Sequence, residues 1–232
     1  MIQIRYSENR GHADHGWLDT RHSFSFADYH DPDHMGFRCL RVINQDRVKP
    51  DSGFPTHPHR DMEILSLVLK GQLQHRDSMG NQGIVRADEV QRITAGSGIM
   101  HSEWNPSSDE EVEFLQIWIL PQKSGLEPDY QQRTPQPGEK HRQWTLLASP
   151  SGKDQSVSIN QEVELWRGRI LGIGTGSYKL GPGRHAWLQM LRGDLQLGGK
   201  ALRAGDGASV SDLERLEFDS IEGADFLLFD LP

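Results

Sequence analysis

The stretch Thr56-His57-Pro58-His59-Arg60-Asp61-Met62-Glu63 leads into the apolar run Ile64-Leu65-Ser66-Leu67-Val68-Leu69, and its two histidines stand at i and i+2. In an extended chain, residues two apart project from one face, so His57 and His59 present two imidazoles side by side. A second pair with the same period, His101-Ser102-Glu103, follows the turn-rich Ala95-Gly96-Ser97-Gly98. Neither pair uses helical i, i+4 spacing. Strands that converge two such pairs on one point require a barrel or sandwich with those side chains facing inward.

The rest of the chain agrees. Short runs of β-branched and large apolar residues recur at 40–43, 63–69, 113–120, 187–191 and 225–229, each ended by turn-forming residues. With 24 glycines and 12 prolines and no sustained apolar stripe of helical period, the chain reads as all-β. Its 232 residues suit one or two domains. The 25 Lys+Arg against 33 Asp+Glu give a net charge of −8, a field that repels phosphate backbones and anionic lipid. A single cysteine, Cys39, rules out an internal disulfide framework and reads as a small buried hydrophobe. With no basic-then-apolar leader and no long apolar run, the expectation is a soluble cytoplasmic protein without direct nucleic-acid or membrane contact, acting as a monomer.

Between Pro121 and Gln143 the composition turns polar and proline-rich (Pro121, Pro128, Pro135, Pro137), the natural place for a boundary. The expected division is an N-terminal domain over 1–125, a linker over 126–143 and a C-terminal domain over 144–232. A faint repeat supports two related units: Lys70-Gly71-Gln72-Leu73-Gln74 resembles Arg192-Gly193-Asp194-Leu195-Gln196, and Ala87-Asp88 and Gly205-Asp206 follow in the same order. Histidine is concentrated in the first half, so the chemistry is expected there.

Three histidines and a glutamate converging in a β interior would be poorly solvated, and a divalent cation satisfies all of them at once. The bland reading of one His-x-His, a polar edge strand, is weakened by the matching His101-Ser102-Glu103. Glu63, four residues past His59 and taken to lie on the same strand face, is the rival carboxylate to Glu103. His12, His15, His22, His30 and His34 are irregularly spaced among Asp and Gly, which suits a solvated loop or lid over the barrel mouth better than a second metal site. His75 has Asp77 on its own strand face as a partner, and Phe54, Met100 and Trp104 adjoin the ligand positions, where they line either a pocket for an aromatic molecule or simply the core. In the second half, Arg184-His185-Ala186-Trp187 carries neither pair, so His185 reads as hydrogen-bonded or exposed.

These residues resemble the pirin family. His57-Pro58-His59-Arg60-Asp61-Met62-Glu63 and His101-Ser102-Glu103-Trp104-Asn105 look like its two cupin motifs. Phe24-Ser25-Phe26-Ala27-Asp28-Tyr29, Met35-Gly36-Phe37, Leu40-Arg41-Val42-Ile43-Asn44 and Thr94-Ala95-Gly96-Ser97-Gly98-Ile99-Met100-His101 are similar too. The resemblance is dense in the first half, looser in the second, and nearest to the bacterial pirin-like proteins described as quercetin 2,3-dioxygenases. It implies a bicupin of two β-barrels of jelly-roll type, the N-terminal one metal-binding and the C-terminal one degenerate. It also implies His57, His59, His101 and Glu103 as ligands of one divalent ion, iron foremost, with copper, nickel, manganese and zinc open. The general cupin motif would take Glu63 instead; the pirin pattern takes Glu103. The implied activity is opening of the flavonol heterocycle by O2 with release of carbon monoxide, on a small aromatic substrate, with Glu103 as the catalytic base. The alternatives are a non-catalytic metalloprotein regulating a protein partner, or another metal-cupin reaction on a small hydroxy acid.

Overall fold

The computed structural model describes residues 1–136 and 143–232. The first half contributes β1 (Ile2–Arg5), β2 (Gly11–Asp14), β3 (Leu18–His22), β4 (Leu40–Val48), β5 (Ser52–His59), β6 (Glu63–Lys70), β7 (Gln72–Asp77), β8 (Gln82–Arg86), β9 (Val90–Thr94), β10 (Ile99–Asn105), β11 (Val112–Ile119) and β12 (Asp129–Arg133). The second half contributes β13 (Trp144–Ser149), β14 (Val157–Ser158), β15 (Glu164–Ile170), β16 (Gly174–Lys179), β17 (His185–Leu197), β18 (Lys200–Arg203), β19 (Gly207–Val210), β20 (Arg215–Ser220) and β21 (Ala224–Leu231). Helical structure among the described residues is confined to two single 3-10 turns. All five apolar runs marked in the sequence are strands, and among the described residues no helix is long and apolar enough to cross a membrane.

In the first barrel a seven-stranded sheet, ordered β12-β9-β6-β11-β4-β3-β2, faces a four-stranded one, β5-β10-β7-β8. The second half repeats the plan with one economy. Strand β17 pairs with β19 and β21 along its first part and with β18 and β20 near its end. It thereby replaces both β6, which pairs with β9 and β11, and β7, which pairs with β8 and β10. The joint is the short repeat noticed in the sequence: Gly71 and Gly193 both adopt left-handed φ, +74° and +75°. A Cβ at Gly193 would meet the Gly223 carbonyl oxygen at 2.0 Å, so only glycine fits there.

Two strands sit across the expected boundaries of 1–125, 126–143 and 144–232. Asp129–Arg133 is a strand, paired antiparallel to β9 of the first barrel, while 137–142 fall outside the described residues. Conversely β1, assigned to the first domain, pairs with β19 of the second barrel. Each barrel's edge is therefore covered by the strand that precedes the other barrel in the chain, which protects both edges from stray pairing.

The largest core cluster lies between the barrels: Leu65, Leu67, Leu115 and Ile117 of the first pack with Leu165, Trp187, Leu227 and Phe229 of the second. Strand β6 is consequently covered on both faces. Leu65 and Leu67 enter this seam, whereas Val68 packs inside the first barrel and Ser66 bonds across it.

Candidate metal centre

Strands β5 and β10 are antiparallel neighbours with His57 directly opposite His101 and His59 opposite Ile99. Burial along β10 alternates, with Ile99, His101, Glu103 and Asn105 inward and Met100 and Trp104 outward. The period-two reading therefore places His101 and Glu103 on one face, as expected. The same period sends Met100 and Trp104 to the surface, each 41% exposed, where Met100 and His59 line an open cleft of about 410 Å³.

The rings of His57, His59 and His101 are mutually close, with centroids 4.4–4.8 Å apart, and their nitrogen atoms offer a cluster within 4.8 Å of one another. His57 Nδ1 lies 2.8 Å from the Pro55 carbonyl oxygen, which fixes Nδ1 as the donor and leaves Nε2 with its lone pair. His101 is 1% exposed, yet neither of its ring nitrogens has a hydrogen-bond partner. Burial, and then the neighbouring imidazoles, pull its pKa down to about 2; burial and His57 pull His59 down to about 4. Both are neutral near pH 7. Neutral imidazoles each offer one lone pair, and that of His101 sits on a ring too buried for water, an arrangement that fits a divalent cation.

Glu103 stands apart from that cluster. Strand β10 runs in regular register with β7, the extra residue of the bulge lying on β5 between Phe54 and His57, and the Glu103 carboxylate turns across the barrel to the facing sheet. There Ser66 Oγ donates to Oε1 at 3.0 Å and Gln116 Nε2 donates to Oε2 at 2.7 Å. Burial pushes the Glu103 carboxyl up, opposed by His75, directly opposite on β7, and by these donors. Each carboxylate oxygen keeps a lone pair, so the clamp leaves capacity for a further partner.

Glu63 is not beside the histidines. After His59 the chain turns through Arg60–Met62, with Asp61 at φ +49°, and Glu63 begins a strand of the opposite sheet. The turn breaks the alternation on which the shared-face reading relied. Glu63 instead faces the seam, where its carboxylate takes hydrogen bonds from Asn160 of the second half and from Thr94.

Two further expectations are settled by geometry. His75 does pair with Asp77, Nε2 to Oδ2 at 3.0 Å, both side chains fully buried. His185 of the second barrel bonds Ser211 at 2.9 Å and, among the described residues, belongs to no cluster of potential ligands. The early histidines are not simply a solvated lid: His12 lies on β2, and His22 is a buried residue of β3, bonded through Nδ1 to Asn44 Oδ1 at 2.8 Å.

Glu103, but none of the three histidines, lines a cavity of about 340 Å³. Trp17, Phe26, Phe54 and Trp118 form apolar walls; Glu103, Gln116, Asn44, His22 and Asp46 supply polar ones. Trp118 also stands edge-on to His59, with centroids 4.9 Å apart, so the cavity and the imidazoles share a wall. Sequence reasoning found Phe54 but missed Ser66, Gln116, Asn44 and Asp46. The available signal was the isolated polar residue in an apolar strand, as in Glu63-Ile64-Leu65-Ser66-Leu67-Val68 or Phe114-Leu115-Gln116-Ile117.

Two barrels on one duplicated plan, one holding a histidine triad and the other lacking it, define a bicupin with a single candidate metal centre among the described residues. Comparison with known proteins agrees. The pirin family profile matches residues 3–119, and a profile described as the quercetinase C-terminal cupin domain matches residues 146–231. The chain is 43% identical to a protein of Escherichia coli K12 named quercetin 2,3-dioxygenase, covering 100% of this chain and 99% of that one. A Pasteurella multocida protein named putative quercetin 2,3-dioxygenase is 43% identical, covering the whole of both. Among solved structures, YhhW from Escherichia coli superposes with a TM-score of 0.95 at 43% identity, covering 100% of this chain and 98% of that one. Bacterial pirin YhhW in complex with nickel(II) gives 0.95 at 42% identity, covering 100% and 99%. The chain belongs to the pirin family.

Proposed function

We propose that this protein is a metal-dependent flavonol dioxygenase of the quercetin 2,3-dioxygenase type. One divalent ion per chain is held by His57, His59 and His101, and Glu103 is the fourth ligand. The observation that carries the reading is the pair of partnerless nitrogens on buried His101, set beside an aromatic-walled cavity that Glu103 also lines. The names of the full-length relatives and the nickel complex of one of them support it.

When bound, the ion supplies positive charge that stabilises an enolate oxygen of the substrate and favours its encounter with dioxygen. The chain's own residues do the rest. Trp17, Phe26, Phe54 and Trp118 accept a flat aromatic ring and exclude water, which strengthens every polar contact inside. The flavonol 3-hydroxyl must lose its proton, and Glu103 is the group placed to take it at a carboxylate oxygen. Burial raises the proton affinity of its carboxyl, while Ser66 and Gln116 hold its orientation. The overall change adds both atoms of O2 to the flavonol, opens the heterocycle and releases carbon monoxide.

The test is aerobic incubation of quercetin with protein loaded in turn with iron(II), nickel(II), copper(II) and manganese(II). The reading expects loss of flavonol absorbance with matching carbon monoxide for at least one metal, abolished by His57→Ala with His101→Ala. Full metal occupancy with no turnover by any of them rejects the dioxygenase and favours a non-catalytic role.

A further inference from the structure

The polar wall of the cavity contains a group that the chemistry above leaves idle. Asp46 lies on β4 between Phe114 of β11 and Thr20 of β3 in the cross-strand register. It is 4% exposed and lines the cavity, and among the described residues no hydrogen bond reaches its carboxylate. The Thr20 hydroxyl is near enough to favour the ionised form, but it lacks hydrogen-bonding geometry and is itself without a partner. Arg10 acts on Asp46 only as a charge at a distance, opposed by Glu103. The carboxylate therefore opens onto the cavity, where its oxygens are free to accept from a ligand.

Its neighbour repeats the pattern. His22, one strand over and diagonal to Asp46, spends Nδ1–H on Asn44 Oδ1, and burial keeps the ring neutral. Nε2 is therefore an acceptor, and His22 also lines the cavity. Two acceptors line one pocket, beside the aromatic walls Trp17, Phe26, Phe54 and Trp118 and the polar groups of Asn44, Gln116 and Glu103. A ligand that fits this wall brings its own hydroxyl hydrogens, and acceptors set diagonally on neighbouring strands suit two hydroxyls of one flat ring.

We infer that Asp46 and His22 form a subsite that recognises a vicinal dihydroxyphenyl ring, with Asp46 accepting from one hydroxyl and His22 Nε2 from the other. The substrate then spans the cavity, its enolising hydroxyl toward the three imidazoles and Glu103 and its dihydroxyphenyl ring against β3 and β4. This inference rests on the flavonol reading and sharpens it: Asp46 and His22 set which flavonols are preferred. The raised pKa of Asp46, about 7 through burial, fits a carboxyl that shares a proton readily with a phenol.

The experiment is equilibrium binding under argon to the nickel(II)-loaded chain. The probes are three flavonols that differ only in the pendant ring: quercetin with two adjacent hydroxyls, kaempferol with one and galangin with none. A site built to accept hydroxyl hydrogens discriminates against an analogue that lacks them, here by on the order of tenfold between quercetin and galangin. In Asp46→Asn and in His22→Phe that ratio falls toward unity while galangin affinity holds within about twofold. Asp46→Asn gives up no hydrogen bond from the protein and is expected to fold; His22→Phe carries the same test if it does not. Tight binding of all three flavonols without discrimination, or discrimination that survives both substitutions, overturns the subsite and leaves the functional reading standing. Failure of all three to bind defeats the functional reading, and the subsite with it.

Discussion

Gln116 Nε2 donates to Glu103 Oε2 at 2.7 Å across the gap between the two sheets of the first barrel, and Ser66, opposite Gln116 on the next strand, takes the other oxygen. The large sheet thus aims the carboxylate that the small sheet carries. Groups that orient a ligand in this way typically account for about 10- to 100-fold in metal affinity. Gln116→Leu is expected to weaken metal binding by that order, measured by competition with a chromophoric chelator. It should also cost the metal-free protein about 1–3 kcal/mol by leaving a buried carboxyl short of a donor. Unchanged affinity would mean that Glu103 is not a ligand.

Glu63 and Glu103 separate cleanly by substitution. Glu63→Ala removes the hydrogen bonds to Asn160 and Thr94 at the seam, so stability falls by about 1–3 kcal/mol while metal stoichiometry stays at the parent value. Glu103→Ala lowers metal affinity instead. Metal analysis after gel filtration, with a thermal melt of each variant, distinguishes the two; loss of metal from Glu63→Ala alone would reverse the assignment.

Asp46 gives the stability of the metal-free protein a pH signature. Burial pushes its carboxyl up from 3.8 to about 7, so the folded state holds this proton more tightly than the unfolded chain does. The stabilisation is complete below about pH 4 and is lost as the pH rises through about 7. Asp46→Asn cannot ionise and escapes the loss. Its stability relative to the parent should climb between those limits by on the order of 2–4 kcal/mol and then level off, as urea denaturation across the range will measure. A constant difference would show that Asp46 is solvated.

The seam between the barrels is expected to hold them in one cooperative unit. Leu65, fully buried there, belongs to the cluster shared with Phe229 and Trp187. Leu65→Ala should cost about 2–5 kcal/mol in a single transition that both barrels share. Two separated transitions in calorimetry would contradict this.

Much of this was legible in the sequence because it is local. The period of two that pairs His57 with His59 and His101 with Glu103 survives intact in β5 and β10, and the apolar runs are the strands. What was hidden depends on which face of a strand meets what. Strand β6 reads as one apolar block because Leu65 and Leu67 enter the seam while Ile64 and Val68 face the barrel. Parity alone therefore could not show that Ser66 points at Glu103. The same holds for Asn44 and Asp46 on β4. Asp129-Tyr130-Gln131-Gln132-Arg133 looked like linker because an edge strand covering a barrel rim needs no apolar face of its own. The crossing of β1 to β19 joins residues about as far apart as the chain allows, and nothing near Ile2–Arg5 encodes it. Glu63 was misplaced by a turn that a count of residues does not see.

The most direct test of the central claim is the metal content of the purified chain after equilibration with nickel(II), beside His57→Ala, His101→Ala and the double variant. The account predicts one tightly held ion per chain in the parent, weaker retention in each single variant and none in the double. A parent that retains no metal, or a double variant that keeps its full complement, would contradict it.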